Sequence, residues 1–194
     1  MGVIYTPPME IMEQDYINHM VFLAGSIEMD KAANWQLELS AELEKIPNLT
    51  ILNPRRSTWD NSWEQKVDNP VFRVQVDWEL DGIEASDTII FYFDPNTKSP
   101  ITLLELGMVI QMIRPEKGQR AIICCPEGFY RKGNVDIVIE RAKKAIQDNY
   151  FFPKDGKIDD YILVVNNLTE LKEKSVEFLK NRLKNGPHSN STIF

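Results

Sequence analysis

The sequence carries almost no thiol or imidazole with which to do chemistry. Its only cysteines, Cys124 and Cys125, are adjacent inside an apolar run. Neighbours in a strand point to opposite faces, so no disulfide is expected between them, and a secreted disulfide scaffold is excluded. The two histidines lie one near each end of the chain, which leaves a histidine triad or a zinc site without support. No H-E-x-x-H, C-x-x-C or Walker-type lysine loop occurs. No stretch reaches 18 apolar residues, and MGVIYTPPMEIMEQD lacks the basic-then-apolar order of a signal peptide. The expectation is a cytoplasmic protein without a membrane partner. Positive charge is scarce as well: 22 Lys and Arg against 29 Asp and Glu give −7, which argues against non-specific nucleic-acid binding. Repeats and low-complexity segments are missing.

What is present suits one soluble domain over residues 1–194. The hydrophobic fraction is 43% and the charged fraction 26%, enough for a sizeable core at this length. Residues 1–18 read as an arm, made rigid and non-helical by Pro7-Pro8. His19–Ala24 and Leu49–Leu52 read as buried strands around a helix over Lys31–Lys45, a β-α-β unit that favours parallel pairing. Residues 57–70, with Trp59 and Trp63, look like a long binding loop or lid. Val71–Glu84 reads as a helix with Val71, Val74, Trp78 and either Leu80 or Ile83 inward, although Gly82 weakens it. Thr88–Phe93 and Arg120–Cys125 are further strands, with helices over Leu103–Met112 and Asn134–Ala145. Ile158–Val165 is either another strand or an extra helix. Leu168–Leu183 is a helix that Gly186-Pro187 would terminate, followed by a fraying tail. Residues 150–194 are expected to form a C-terminal helical extension. The alternation predicts an α/β three-layer sandwich around a parallel sheet.

Strand, loop and helix N-terminus is where open α/β folds place their ligands, and Ser86–Gln111 has that order. Glu105 is its conspicuous acid. Thr102-Leu-Leu-Glu105 fits a capping box, which alone would account for the acid. A carboxylate there could equally attack an anomeric carbon and split one difficult substitution into two easier ones. Other groups carry the same double reading. Gly25-Ser26 is a tight turn or a donor pair for a sugar or phosphate. Arg55-Arg56 is a solvated pair or a bidentate phosphate clamp. Asp94-Pro95 is a turn or a group facing the pocket. Asp77 and Glu79 are helix-surface acids or sugar ligands, and Trp59, Trp63 and Trp78 pack or stack on a base.

The set FLAGSI, WELDGIEASD, FDPNTKSPITLLELG and GNVDIV resembles the nucleoside 2-deoxyribosyltransferase superfamily, in its transferase-like branch, over about residues 19–147. The resemblance implies a flavodoxin-like fold and a covalent 2-deoxyribosyl-glutamate whose sugar passes to another nucleobase. It further implies a homo-oligomer, a dimer or larger, in which a neighbouring subunit completes the site. Neither metal nor organic cofactor is expected. Residue by residue, the nucleophile falls on Glu105, followed by Gly107. The acid that holds the sugar falls on or near Glu79, with Asp77 competing if the helix register slips. A structural aspartate falls on Asp87, and a cross-dimer asparagine on Asn134. Phe22 stands where the family has a tyrosine and lacks the hydroxyl. Ser99 stands where a base-handling aspartate is expected, six residues before Glu105, and Asp94 substitutes only if the loop folds back. That change points to a different base, a different N-glycoside, or hydrolysis in place of transfer. The related nucleoside 5′-monophosphate N-hydrolases are one alternative, with Ser26, Arg55 and Ser99 as a phosphate pocket. A non-catalytic nucleotide-binding protein is the other.

Overall fold

The apolar runs become strands because each is covered on both faces. In the computed structural model, which describes residues 1–28, 32–56 and 63–184, six parallel strands form one sheet in the order β1-β3-β2-β4-β5-β6. They are β1 (Val3–Tyr5), β2 (His19–Gly25), β3 (Leu49–Leu52), β4 (Thr88–Tyr92), β5 (Arg120–Cys124) and β6 (Ile162–Val165). Five helices connect and follow them: α1 (Trp35–Leu43), α2 (Pro70–Ala85), α3 (Pro100–Met112), α4 (Lys132–Gln147) and α5 (Leu168–Lys184). Sheets buried on both faces need continuous apolar strands, and TIIFY of β4 is buried at every position.

Side chains alternate between two cores. Phe22, Ile89, Phe91, Ala121 and Ile123 face α2, α3 and α4, where they meet Ile83, Leu106, Val109 and Ile139. Val21, Leu23, Ile90, Tyr92 and Ile122 face α1 and α5, where they meet Trp35, Leu39, Leu171 and Leu179. Each fully buried aliphatic or aromatic side chain contributes about 1.5–3 kcal/mol. Cys125 joins the first core and Cys124 the second, both as free thiols. Burial pushes both thiols up to about 12, so neither is a ready nucleophile. The three-layer, flavodoxin-like arrangement expected from the sequence is present, with β1 added at one edge.

Several sequence expectations change. The N-terminal arm is part of the sheet: β1 pairs with β3, and a short 3-10 helix spans Glu13–Ile17. The ambiguous Ile158–Val165 segment supplies β6, paired to β5, so the extension from residue 150 is not wholly helical. Helix α1 starts at Trp35 because the Asn34 side chain accepts from Leu37 N and caps it there. Asn69 caps α2 in the same way, with Pro70 as its first residue. The α2 face is corrected in part: Trp78 and Ile83 pack inward as expected, and the other expected positions do not. Val71, Val74 and Leu80 are exposed, and the inward stripe is Gln75, Gly82 and Ile83. Gly82 explains that choice: a Cβ there would lie 3.0 Å from the Phe22 ring. Lys31, Trp59, Gly186-Pro187 and the tail lie outside the described residues. Among the described residues, no helix is long and apolar enough to cross a membrane.

Candidate active site

Because every strand runs the same way, the loops after β2, β3, β4 and β5 open on one edge. The chain turns toward β3 from one side of β2, while β4 lies on the other side. Such a switch point leaves a crevice outside the strand ends. Two polar clusters stand there.

The first is a pair of acids. Helix α3 begins at Pro100, with Ser99 as its N-cap, so Glu105 lies in the second turn. The capping box expected from Thr102-Leu-Leu-Glu105 does not form, because the helix starts three residues earlier than that motif requires. Glu105 is only 8% exposed, and among the described residues no hydrogen bond reaches its carboxylate. Burial pushes its carboxyl up to about 8, and the nearby Glu79 charge adds to the shift. Burial also pushes Glu79 up to about 7, opposed by a hydrogen bond from Gln75. The Glu79 charge therefore disfavours the ionised form of Glu105.

Gln75, held in turn by Arg56, orients Glu79, and no site role was expected for Gln75. Gln75 is buried one helical turn before Glu79 and donates from Nε2 to Glu79 Oε1 at 2.7 Å. The same nitrogen donates to Pro54 O at 3.2 Å, and Arg56 Nη1 donates to Gln75 Oε1 at 3.4 Å. A carbonyl on one end of the amide and a guanidinium on the other fix which way it points. The Arg56 guanidinium lies over the Trp63 ring, 4.8 Å from its centroid. An i, i+4 glutamine beside an acid, on the face carrying a helix glycine, was the available sequence signal.

The second cluster is a knot of hydroxyls. Ser26 Oγ accepts from Asp94 N at 2.9 Å and bonds Thr97 Oγ1 at 2.9 Å and Ser99 Oγ. Thr97 Oγ1 bonds Ser99 Oγ at 2.7 Å and donates to Asp94 O at 2.9 Å. One assignment uses every proton: Ser26 donates to Ser99, Ser99 to Thr97, and Thr97 to the carbonyl. The Asp94 carboxylate is equally occupied, accepting from Asn96 N at 2.9 Å, Asn96 Nδ2 at 3.0 Å and Ala33 N at 3.3 Å. Gly25 packs this knot on the sheet, since a Cβ there would fall 2.6 Å from both Trp35 and Tyr92 O. Glu28, which the sequence did not single out, accepts from Lys98 N at 2.7 Å and Ser99 N at 3.0 Å through Oε1. Ser99 itself has φ 43° and ψ 52°, a left-handed backbone for a non-glycine residue.

The remaining candidates scatter. Asp77 is on the solvent side of α2, paired with Arg73 at 3.2 Å, about half a turn away from Glu79. Arg55 Nη1 donates to Ala33 O at 3.2 Å. Phe22 is fully buried, with Trp78 beside it at a centroid distance of 6.2 Å. Trp78 donates to Met9 O at 2.9 Å, which fastens the N-terminal arm over α2. Asn134 is exposed in the first turn of α4. Asp87 Oδ2 accepts from Met20 N at 2.8 Å at the opposite edge of the sheet, where it ties β4 to β2. A surface hollow of about 510 Å³ lies elsewhere, between α4 and β6, and holds none of these residues; its Lys143 is paired with Asp159. Among the described residues, no group of three or more His, Cys, Asp or Glu is placed to hold a metal ion.

The acid pair and the loop knot both fall within one stretch that matches a known family. No curated protein matches the chain. The family model described as nucleoside 2-deoxyribosyltransferase like matches residues 18–129, a span that includes Glu28, Gln75, Glu79 and Glu105 and stops short of Asn134. That span is more than half of the 194 residues, and the chain belongs to the nucleoside 2-deoxyribosyltransferase-like family.

Proposed function

We propose that this protein cleaves the N-glycosidic bond of a deoxynucleoside through a glycosyl intermediate on Glu105. The observation that carries the reading is the state of that acid: buried in the helix that follows the central strand, without a capping duty or a hydrogen-bond partner among the described residues, and within electrostatic reach of Glu79. A structural carboxylate in such a place would be paired, since desolvating an unpaired one is costly.

In the first step Glu105, reacting from the state in which Glu79 carries the proton and Glu105 is ionised, bonds through an oxygen to C1′ as the C1′–N bond breaks, and the base leaves with a proton. Asp94 and Ser99 are spent on the loop, so Glu79 is the group left to supply that proton, as well as to hold the sugar. A carboxyl near 7 suits a general acid at neutral pH. A second base or water then attacks C1′ and frees Glu105, and the entering group returns a proton to Glu79. Gln75 keeps the Glu79 carboxylate in place. A second copy of the chain fits the same reading, because α3 exposes Ile101, Leu104 and Met108 along one stripe.

The test is release of free base from a panel of deoxynucleosides, with and without an acceptor base, by wild type and Glu105→Gln. The expected outcome is release by wild type and a loss of at least about 10³-fold in the variant. Equal release by both proteins would discard Glu105 as the nucleophile. Binding without release by either would make the protein a nucleoside sensor.

A further inference from the structure

Resting on the reading above, we infer that Gln75 and Arg56 are positioning residues that place the transferable proton of Glu79 on Oε2, the oxygen that gives it to the leaving base. Donor and acceptor types decide this. Gln75 Nε2 donates to Glu79 Oε1 at 2.7 Å and to Pro54 O at 3.2 Å, and Arg56 Nη1 donates to Gln75 Oε1 at 3.4 Å. A backbone carbonyl only accepts, and a guanidinium only donates. Turning the amide over would set its oxygen against Pro54 O and Glu79 Oε1, and its NH2 group against Arg56. Three contacts therefore hold one orientation. Glu79 Oε1 faces an N–H and must accept. The carbonyl oxygen of a carboxylic acid accepts better than its hydroxyl oxygen, so neutral Glu79 keeps its carbonyl at Oε1 and its proton at Oε2. Among the described residues, no hydrogen bond reaches Oε2.

The relay reaches the acid from another element. Arg56 belongs to the segment after β3 and lies over the Trp63 ring, while Gln75 and Glu79 stand one turn apart on α2. Gln75 is 2% exposed, so water does not compete for its amide. In the first step the Oε2–H bond breaks and its proton passes to a ring nitrogen of the base. The electron pair of the C1′–N bond stays with the base, and the Glu105 oxygen bonds to C1′. Glu79 is left ionised, and the Gln75 donor stabilises that charge at Oε1. The same hydrogen bond opposes the upward shift of the Glu79 carboxyl that burial causes. When the entering group gives up its proton, Oε2 receives it.

Two measurements on the full chain test this, and the first needs no turnover. In infrared difference spectra at acidic pH, the band lost in Glu79→Gln identifies the Glu79 carboxylic acid. A carbonyl that accepts from Gln75 absorbs at lower frequency than a free one. The Glu79 band is expected to move to higher frequency in Gln75→Met, and by less in Arg56→Met, where Pro54 O still holds the amide. A band unmoved in both variants would overturn the inference, whether or not base is released. The second measurement compares kcat/KM for base release from deoxyadenosine and from an N7-methylated deoxyguanosine, whose cationic base leaves without taking a proton. Gln75→Met should lose about 10-fold or more on deoxyadenosine and only about 3-fold or less on the methylated nucleoside. Arg56→Met should show the same order with smaller losses, and it carries the test if Gln75→Met does not fold. Equal losses on the two nucleosides would mean a distorted site and would overturn the inference. If wild type releases base from neither, the catalytic reading falls, and the infrared band still decides which oxygen holds the proton.

Discussion

The two polar clusters at the C-terminal edge of the sheet are buried except for the half-buried Glu79, and they are built in opposite ways. In the knot formed by Ser26, Asp94, Thr97 and Ser99, every hydroxyl proton and both Asp94 oxygens have partners inside the protein. In the acid pair, Glu79 has one hydrogen bond, from Gln75, and Glu105 has none among the described residues. Burial alone does not mark a reactive group. The knot stabilises the loop that launches α3, whereas the pair holds two carboxyls that the fold leaves in need of a partner. That contrast shifts the expected roles: Asp94 and Ser99, the base-handling candidates, are engaged within the loop, and in the proposed reaction Glu79 is the acid left to supply the proton.

Breaking the contrast from the acid side gives the largest effect. Glu105→Gln should lose at least about 10³-fold in base release yet keep or gain stability, since it removes a desolvated acid. The pH dependence fixes the sign. The Glu105 carboxyl is raised from 4.5 to about 8, so the folded state holds more protons than the unfolded chain across that range. Its favourable contribution is present below pH 4.5 and is lost as pH rises to about 8. Wild-type Tm should therefore fall over that interval, and the fall should be shallower in Glu105→Gln. A parallel fall in both proteins would mean that Glu105 titrates normally.

The knot predicts the reverse pattern. Ser26→Ala leaves the buried Asp94 amide without its acceptor and should cost about 1–3 kcal/mol in denaturant unfolding. A midpoint unchanged from wild type would show that the knot is not structural. The smallest effect concerns the coupling within the pair. Glu79→Gln removes the charge that adds to the Glu105 shift, so the apparent Glu105 pKa should move down from about 8 while staying above 4.5 through desolvation. Carboxyl resonances followed by NMR titration would read this directly, and an upward movement would contradict the coupling.

Much of this was legible in the residues. Continuous apolar runs marked Leu49–Leu52 and Thr88–Tyr92 as buried strands, and the alternation with helical periods gave the parallel three-layer fold. Glu105 stood out because an acid in TLLELG interrupts an apolar helix. The role of that acid could not be read from spacing, since Thr102 and Glu105 satisfy the capping box whether or not the helix begins there. Ser99 and Pro100 move the start, and capping falls away. The α2 face was misjudged for a related reason. Apolar Val71 and Val74 attract an inward assignment, yet Gly82 must face Phe22, and that register carries Gln75 and Glu79 inward with it.

Hydrophobic period and chain order are enough to specify the sheet, its layers and an acid in the helix after the central strand. Which polar groups find partners depends on the folded chain. Hydrogen bonds from Ser26 to the 94–99 loop, from Glu28 to Lys98 and Ser99, and from Gln75 to Pro54 join residues 21 to 73 positions apart. No local pattern encodes such pairings, and they separate the saturated knot from the unsatisfied acids.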